Sequence, residues 1–222
     1  MTCKASCRLI LVRHGQTEWN KQIRFQGIAD IPLDDEGMRQ AEFLSQRIAS
    51  WPPDVIYTSP LNRAKSTAQI ISRQFNIQPI IVPELIEVNF GKWEGASIPQ
   101  LEHDDPEAIT HWRADPFFNV PEGGEAWPEI CERLSRAMNA IISGNHERVI
   151  VVAHGGVMRV LIAMILGIDP HKAWNVEASN CGMTGIEIVD DIARLYFAND
   201  DLHIRGGEYG VNMPIWGESY GE

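Results

Sequence analysis

The sequence predicts an α/β fold, a three-layer α/β/α sandwich around a mostly parallel sheet with an antiparallel edge. Three observations indicate this class. Short apolar runs of strand length alternate with segments of helical periodicity, and two of those runs stop abruptly at a His-Gly step. Near the carboxyl end, two strand-like runs flank an acidic turn, as in a β-hairpin. We expect one domain spanning 1–222, because 222 residues suit one full-sized domain.

The first half of the chain alternates strand and helix. Trp51-Pro52-Pro53 ends the first helical pattern, and prolines also flank the later strand-like runs. In chain order we predict a strand over 8–13, a helix over 37–48, a strand over 54–58, a helix over 61–75 and a strand over 79–82.

Glycine and proline interrupt the pattern between 83 and 125, leaving room for short helices near 98–103 and 106–114. We predict that about 91–125 forms a short cap excursion over the functional site. The alternation then resumes with a helix over 130–141, a strand over 148–153, a helix to about 166 and a hairpin of 185–189 with 193–197. The tail, about 199–222, has no clear period, and its role is not readable.

Composition excludes several classes of protein. The net charge is −11, which repels polyanions, so we expect no nucleic-acid partner. No window approaches the roughly 18 uninterrupted apolar residues of a membrane span, and no secretory signal is evident, so we expect a cytoplasmic protein with no membrane partner. The four cysteines include no C-x-x-C pair and favour reduced, structural thiols. The sequence is compatible with a homodimer and does not decide whether one forms.

Two predicted strands end alike, at Arg13-His14-Gly15 and at 153–156 (AHGG). Because the ends of parallel strands line one crevice, we expect the two histidines to converge there. Glycines allow close approach, and a helix starting just after Gly156 would aim N–H groups at an anion. Arg13 and Arg63 add guanidinium groups, so the pocket suits phosphate.

Histidine attacks phosphorus only as neutral imidazole with one nitrogen unoccupied, and His14 suits that role. A leaving alkoxide also needs an acid. Glu87, in the loop after the third strand, is the best-placed carboxylate, although Glu84, Glu94 and Glu102 are nearby. Taken alone, an Arg-His-Gly match is a weak signal, since a lone histidine at a strand end is usually a structural residue.

The sequence resembles the histidine phosphatase (phosphoglycerate mutase-like) superfamily over about residues 8–198. The segment 11–20 (LVRHGQTEWN) looks like that family's signature. Later blocks follow in order at 25–27 (FQG), 30–33 (DIPL), 37–41 (GMRQA), 58–64 (TSPLNRA), 85–87 (LIE), 90–95 (FGKWEG) and 153–156 (AHGG).

The resemblance implies His14 as the phosphorylated nucleophile and Glu87 as the proton donor. It implies a phosphate clamp of Arg13, Arg63 and His154, and a pocket lined by Asn20, Thr17, Gln26 and Gly27, to which we add Gly155. It further implies no metal, and we expect no cofactor. The chain departs from the family at Gln16, where many members have glutamate, and at Ala126, where many phosphatases have serine or threonine. Both departures bear on specificity.

Three functions fit these residues. The first is a phosphomonoesterase acting on a small phosphorylated metabolite; the second is a mutase that returns the phosphoryl group to an acceptor; the third is a catalytically silent phosphate-binding or partner-binding member of the fold. We favour the first, because the segment between Gly95 and Gly123 is short and its only Lys or Arg, Arg113, is outnumbered by acidic residues. A bisphosphorylated intermediate would then meet net negative charge. Trp112, Phe117 and Phe118 fit either a substrate cap or packing against the domain.

Overall fold

A computed structural model describes residues 6–190, 192–212 and 215–216, and its six strands form one sheet. The strand order is β3-β2-β4-β1-β5-β6. The strands are β1 (Cys7–Arg13), β2 (Val55–Thr58), β3 (Ile80–Ile81), β4 (Arg148–Ala153), β5 (Met183–Val189) and β6 (Ile192–Asp200). The first four run parallel, and β5 is antiparallel to both β1 and β6. The predicted mostly parallel sheet with an antiparallel edge is confirmed.

Helices cover both faces of this sheet. Along the described part of the chain the helices are α1 (Glu18–Lys21), α2 (Asp35–Ile48), α3 (Asn62–Ser72), α4 (Ile98–Asp104), α5 (Pro106–Ala114), α6 (Trp127–Ser143), α7 (Gly155–Leu166), α8 (Leu202–Arg205) and α9 (Gly207–Asn212). Side chains alternate along β1, so Leu9 and Leu11 pack with residues of α6 and α7, whereas Ile10 and Val12 pack with residues of α2 and α3. Two cores on opposite faces confirm the three-layer sandwich.

The register between β1 and β4 positions the functional site. Arg13 pairs with Ala153, so both strands stop at the same level and each continues into a histidine. The His14 N–H donates to the Ala153 carbonyl at 3.0 Å. Parallel pairing therefore brings His14 and His154 side by side.

Several element boundaries differ from the sequence prediction, and one short helix was not predicted. The helix expected over 61–75 is α3 followed by a 3-10 turn (Arg73–Phe75), which ends at Asn76 with φ of 54°. The strand over 79–82 shortens to β3. The four-residue helix α1 lies unpredicted inside the His14 segment, and the hairpin strands extend to Met183 and Asp200.

The tail also forms helices, although it showed no clear period. Helices α8 and α9 contact α2, and Arg47 of α2 forms a 2.6 Å ion pair with Asp200. His203 is buried and donates from Nε2 to the Cys181 carbonyl at 3.0 Å. This part of the tail is therefore packed onto the domain, while 213–214 and 217–222 lie outside the described residues.

Within the part of the chain that the structure describes, no helix combines the length and the apolar character that crossing a bilayer requires. Burial raises the pKa of the Cys181 and Cys131 thiols, as expected for structural cysteines. Cys3 lies outside the described residues.

Candidate active site

A cavity of about 350 Å³ opens where β1, β2 and β4 end. It brings together most of the residues that the sequence singled out. The predicted residues that line it are Arg13, His14, Asn20, Gln26, Gly27, Arg63, Glu87 and Gly155. Thr17 and His154 are not in the lining; both are fully buried behind it.

His14 is held in one tautomer. Its Nδ1 lies 2.6 Å from the Gly15 carbonyl oxygen. A carbonyl oxygen only accepts hydrogen bonds, so Nδ1 carries the proton and Nε2 keeps its lone pair. Among the described residues Nε2 has no hydrogen-bond partner. The arrangement is that of a nucleophilic imidazole.

His14 is also kept neutral. Burial and the nearby charges of Arg63 and Arg13 hold the pKa of His14 well below its ordinary value of 6.5. Desolvation and like charge both disfavour imidazolium. At neutral pH the ring is therefore uncharged and able to attack.

His154 is buried next to His14. Its ring centroid lies 5.1 Å from that of His14. Its Nδ1 accepts from Arg63 Nε at 3.2 Å, and its Nε2 lies 2.6 Å from the Ser59 hydroxyl. Because Nδ1 accepts, Nε2 carries the proton and donates to Ser59. Burial, followed by the charge of Arg63, lowers the pKa of His154 far below 6.5.

The positive charge of the site therefore comes from arginines, and neither histidine supplies it. Arg63 is fully buried, and its two terminal nitrogens donate to the carbonyls of Ala29 and Gly27 at 2.6 and 2.7 Å. Gly27 has φ of +51°, and a Cβ there would overlap the Glu94 carboxylate, so this carbonyl position requires glycine. Arg13 donates to the Ala178 carbonyl at 2.6 Å, and its buried Nε has no partner.

Glu87 occupies the amino end of α7. Its Oε1 accepts from the N–H groups of Val88 and Val157 at 2.9 and 3.1 Å, and its Oε2 accepts from Gly156 at 3.2 Å. The expectation that this helix end offers its N–H groups to phosphate is thus wrong for Gly156 and Val157. The N–H of Gly155 has no acceptor among the described residues and lines the cavity.

Asn20 and Thr17 were both predicted to line the pocket, and only Asn20 does. The Thr17 hydroxyl and backbone form a capping box with Asn20 at the start of α1, so Thr17 positions the loop and does not reach the cavity. Asn180, which the sequence analysis missed, donates to the Asn20 side chain at 3.3 Å and to the His14 carbonyl at 3.0 Å.

A sequence model of the histidine phosphatase superfamily (branch 1) matches residues 9–201. The chain belongs to this superfamily. It is 32% identical to phosphoserine phosphatase 1 of Hydrogenobacter thermophilus over 205 residues, which covers 92% of this chain and 96% of the relative.

Solved structures of histidine phosphatases agree in fold. The α-ribazole phosphatase of Shigella flexneri superposes with a TM-score of 0.79 at 29% identity, covering 87% of this chain and 96% of that one. The mycobacterial glucosyl-3-phosphoglycerate phosphatase, solved with VO3, also gives 0.79 at 27% identity, covering 87% and 99%.

The cap of this histidine phosphatase contributes apolar surface to the cavity. Trp112 lines it and makes edge contacts with Phe25 and Trp174, at centroid distances of 5.0 and 5.1 Å. Phe117 is buried beside Trp174 and is a packing residue, whereas Phe118 is 39% exposed and stacks on His171. The three cap aromatics thus have different roles.

The acids of the cap do not face the cavity, contrary to the charge reasoning applied to the sequence. Among the described residues, Glu87 is the cavity's sole carboxylate. Two cap acids pair with Arg113 and His171, and another caps α5; these acids are Glu102, Asp115 and Asp105. The cap acids therefore do not repel a second anionic group in the cavity. The argument from charge against a bisphosphorylated intermediate is wrong.

Two further arginines line the cavity and were not predicted. Arg24 donates to the Gly95 carbonyl at 2.6 Å and to Gln22. Arg159, on α7, lies over the Trp174 ring at 4.7 Å. Arg159 comes four residues after Gly155, so helical periodicity could have placed the two on one face.

Proposed function

We propose that this chain hydrolyses a phosphomonoester of a small metabolite through a phosphohistidine at His14. The observation that carries the proposal is the hydrogen bond from His14 Nδ1 to the Gly15 carbonyl, which leaves Nε2 as the nucleophile in a cavity lined by arginines. A buried neutral imidazole beside guanidinium groups is suited to attack on a dianionic phosphate.

The phosphoryl group binds between arginines. Arg13 Nε, which is buried without a partner, and the N–H of Gly155 are available donors. Arg63 lies beneath them, with its guanidinium fixed by backbone carbonyls. These groups neutralise the equatorial oxygens while His14 lies in line with the ester bond.

In the first step His14 Nε2 forms a bond to phosphorus and the ester P–O bond breaks. Glu87 gives a proton to the departing oxygen, so the alcohol leaves neutral. In the second step the Glu87 carboxylate takes a proton from water, the water oxygen bonds to phosphorus and the P–N bond breaks. Inorganic phosphate leaves and His14 returns to its neutral form.

The named substrates of the relatives support this class of reaction. Phosphoserine, α-ribazole phosphate and glucosyl-3-phosphoglycerate are small phosphorylated metabolites. The alcohols of these esters differ widely. We therefore propose phosphomonoester hydrolysis for this chain and no particular alcohol.

A mutase is the second candidate, favoured by one observation. Arg24 and Arg159 line the cavity in addition to Arg13 and Arg63, which gives more positive charge than one phosphate dianion balances. A mutase would share the first step and then pass the phosphoryl group to an alcohol in place of water.

Phosphate release and phosphoryl transfer can be measured on the same preparation. A panel of phosphorylated metabolites should yield inorganic phosphate with the wild-type protein and none with His14→Ala. Rapid interconversion of 3-phosphoglycerate and 2-phosphoglycerate with catalytic 2,3-bisphosphoglycerate, faster than any phosphate release, would favour the mutase. Turnover by neither route would leave the silent phosphate-binding function.

The cytoplasmic location, the single domain over 1–222 and the lack of metal and cofactor remain predictions. The same holds for the homodimer, which is left open, and for the absence of nucleic-acid and membrane partners.

A further inference from the structure

We infer that Arg159 binds a second anionic group of the substrate, so that the preferred substrates are phosphomonoesters with a carboxylate or second phosphate close to the ester. This inference rests on the proposed function. It adds a specificity-determining residue outside the group that holds the reacting phosphate.

Arg159 differs from the other cavity arginines in having no polar partner. Arg13, Arg24 and Arg63 each donate to at least one backbone carbonyl at 2.6 or 2.7 Å. Arg159 forms no hydrogen bond or ion pair within the described part of the chain, and its Nε is buried without an acceptor. Arg159 as a whole is half-buried and lines the cavity, so its charged group faces the cavity without an acceptor from the protein, and an anionic ligand would supply one.

The position of Arg159 limits where the second group lies. A Cβ placed on Gly155 would be 3.1 Å from Arg159 Nη1 and 3.4 Å from Arg13 Nε. Both guanidinium groups therefore flank Gly155, whose N–H is available to the phosphate. The second anion consequently lies next to the phosphoryl site, which limits the substrates to those that carry the second group close to the ester.

Trp174 keeps the Arg159 side chain in this place. The guanidinium lies 4.7 Å from the indole centroid, and Trp174 in turn packs against Trp112 of the cap. Stacking on an aromatic face fixes a guanidinium while leaving its N–H edges for a ligand. The aromatic wall thus presents Arg159 to the cavity.

The charges around Arg159 are unevenly balanced. Glu87 and the exposed Glu177 attract it, but burial and the charge of Arg159 lower the pKa of the neighbouring Arg13 to about 10. The four cavity arginines carry more positive charge than one phosphate dianion and the Glu87 carboxylate balance together. A further negative group completes the balance.

Two matched substrate pairs test the inference. One pair is 3-phosphoglycerate with glycerol 3-phosphate, which lacks the carboxylate; the other is propane-1,3-diol bisphosphate with 3-hydroxypropyl phosphate, which lacks the second phosphate. The wild type should prefer the doubly anionic member of at least one pair by about tenfold or more in kcat/KM, as a charged hydrogen bond provides. The pair that shows the preference identifies the second anion.

Arg159→Gln should abolish this preference, mainly through KM for the member with two anionic groups, and leave kcat/KM for the member whose only anionic group is the phosphate within about threefold. Arg159→Lys should retain part of the preference, because it keeps the charge. The matched control is Arg136→Gln, an exposed arginine of α6 that pairs with Glu132, which should leave the ratio unchanged. A measurement that needs no variant is inhibition of the wild type, where glycerate should compete and glycerol should not.

Equal losses on both members of each pair in Arg159→Gln would assign Arg159 to the reacting phosphate and overturn the inference. So would a wild type with no preference in either pair, or inhibition by glycerate no stronger than by glycerol. If the wild type releases phosphate from none of the four compounds and from no other monoester, the proposed function itself fails.

Discussion

The Oε2 atom of Glu87 lies 3.2 Å from the backbone nitrogen of Gly156, in the first turn of α7. A Cβ on Gly156 would lie 2.7 Å from the other carboxylate oxygen of Glu87. The glycine therefore allows the acid to approach the helix end, and the helix fixes the acid beside the cavity. This contact connects the loop after β3 to the strand end that carries His154.

Replacement of Glu87 by glutamine should affect poor leaving groups most. Glu87→Gln keeps the shape but removes the transferable proton, so hydrolysis of alkyl phosphates should fall by about 10²- to 10⁴-fold. Hydrolysis of p-nitrophenyl phosphate should fall far less, because its departing oxygen needs little protonation. The control is Glu84→Gln, a half-buried carboxylate three residues away that does not line the cavity. Equal losses on aryl and alkyl phosphates in Glu87→Gln would assign the acid role elsewhere.

Alanine at Gly156 should damage catalysis without unfolding the protein. The new Cβ would lie 2.7 Å from the Glu87 carboxylate and 2.8 Å from a methyl carbon of the buried Val88, so both side chains must shift, although alanine suits a helix better than glycine does. We expect a loss on alkyl phosphates similar to that of Glu87→Gln, in a protein that still folds but has a lower melting temperature than the wild type. Because both changes act on one group, the double variant should be no worse than Glu87→Gln alone. Additive losses would show that Gly156 acts independently of Glu87.

Three buried histidines should make stability depend on pH. Burial lowers the pKa of His203 to about 4, and the pKa values of His14 and His154 also lie well below 6.5. Below pH 6.5 the unfolded chain binds protons at these histidines that the folded chain does not bind. Their contribution to the free energy of unfolding is therefore fully present above pH 6.5 and decreases as the pH falls. Each histidine contributes a slope of about 1.4 kcal/mol per pH unit until its folded pKa is reached.

Denaturant unfolding between pH 7.5 and 4.5 measures this slope. His203→Gln keeps a donor for the Cys181 carbonyl and removes one titrating group. Between pH 6 and 4.5 its slope should be shallower than that of the wild type by about 1.4 kcal/mol per pH unit. Identical slopes would mean that His203 titrates normally in the folded protein.

Activity should survive exhaustive chelation. The arginines at the cavity supply the positive charge that a metal would otherwise provide for the transferring phosphoryl group. Phosphate release should therefore be unchanged after dialysis against EDTA. Loss of activity that zinc or magnesium restores would contradict this assignment.

The sequence predicted the parts of the fold that have strong local signals. Such signals are the apolar runs of β1 and β4 and the helical periodicity of α2 and α6. The two histidines at the strand ends lie next to each other, as predicted. Helices α8 and α9 were missed because they are short and are held by long-range contacts such as the hydrogen bond from Arg47 of α2 to the Gly210 carbonyl of α9. Pairings of this kind have no local pattern.

Prediction of the functional site from the sequence was limited in the same way. Residue types and positions indicated His14, Arg13 and Arg63, but the bonds of Glu87 to the first turn of α7 depend on how a loop folds against a helix seventy residues away. The orientation of the cap acids likewise follows from local pairs with Arg113 and His171. Charge counted along the sequence could not show which way those side chains turn.

The central claim is that His14 carries the phosphoryl group, and trapping that group tests it most directly. Wild-type protein mixed with a ³²P-labelled monoester, quenched in alkali and digested should yield one labelled peptide that contains His14. The label should be stable in alkali and labile in acid, as expected for a phosphoramidate. His14→Ala should yield no label and no turnover, while Thr17→Val, which lies outside the cavity lining, should still be labelled at His14. A label on another residue, or normal turnover by His14→Ala, would contradict the account.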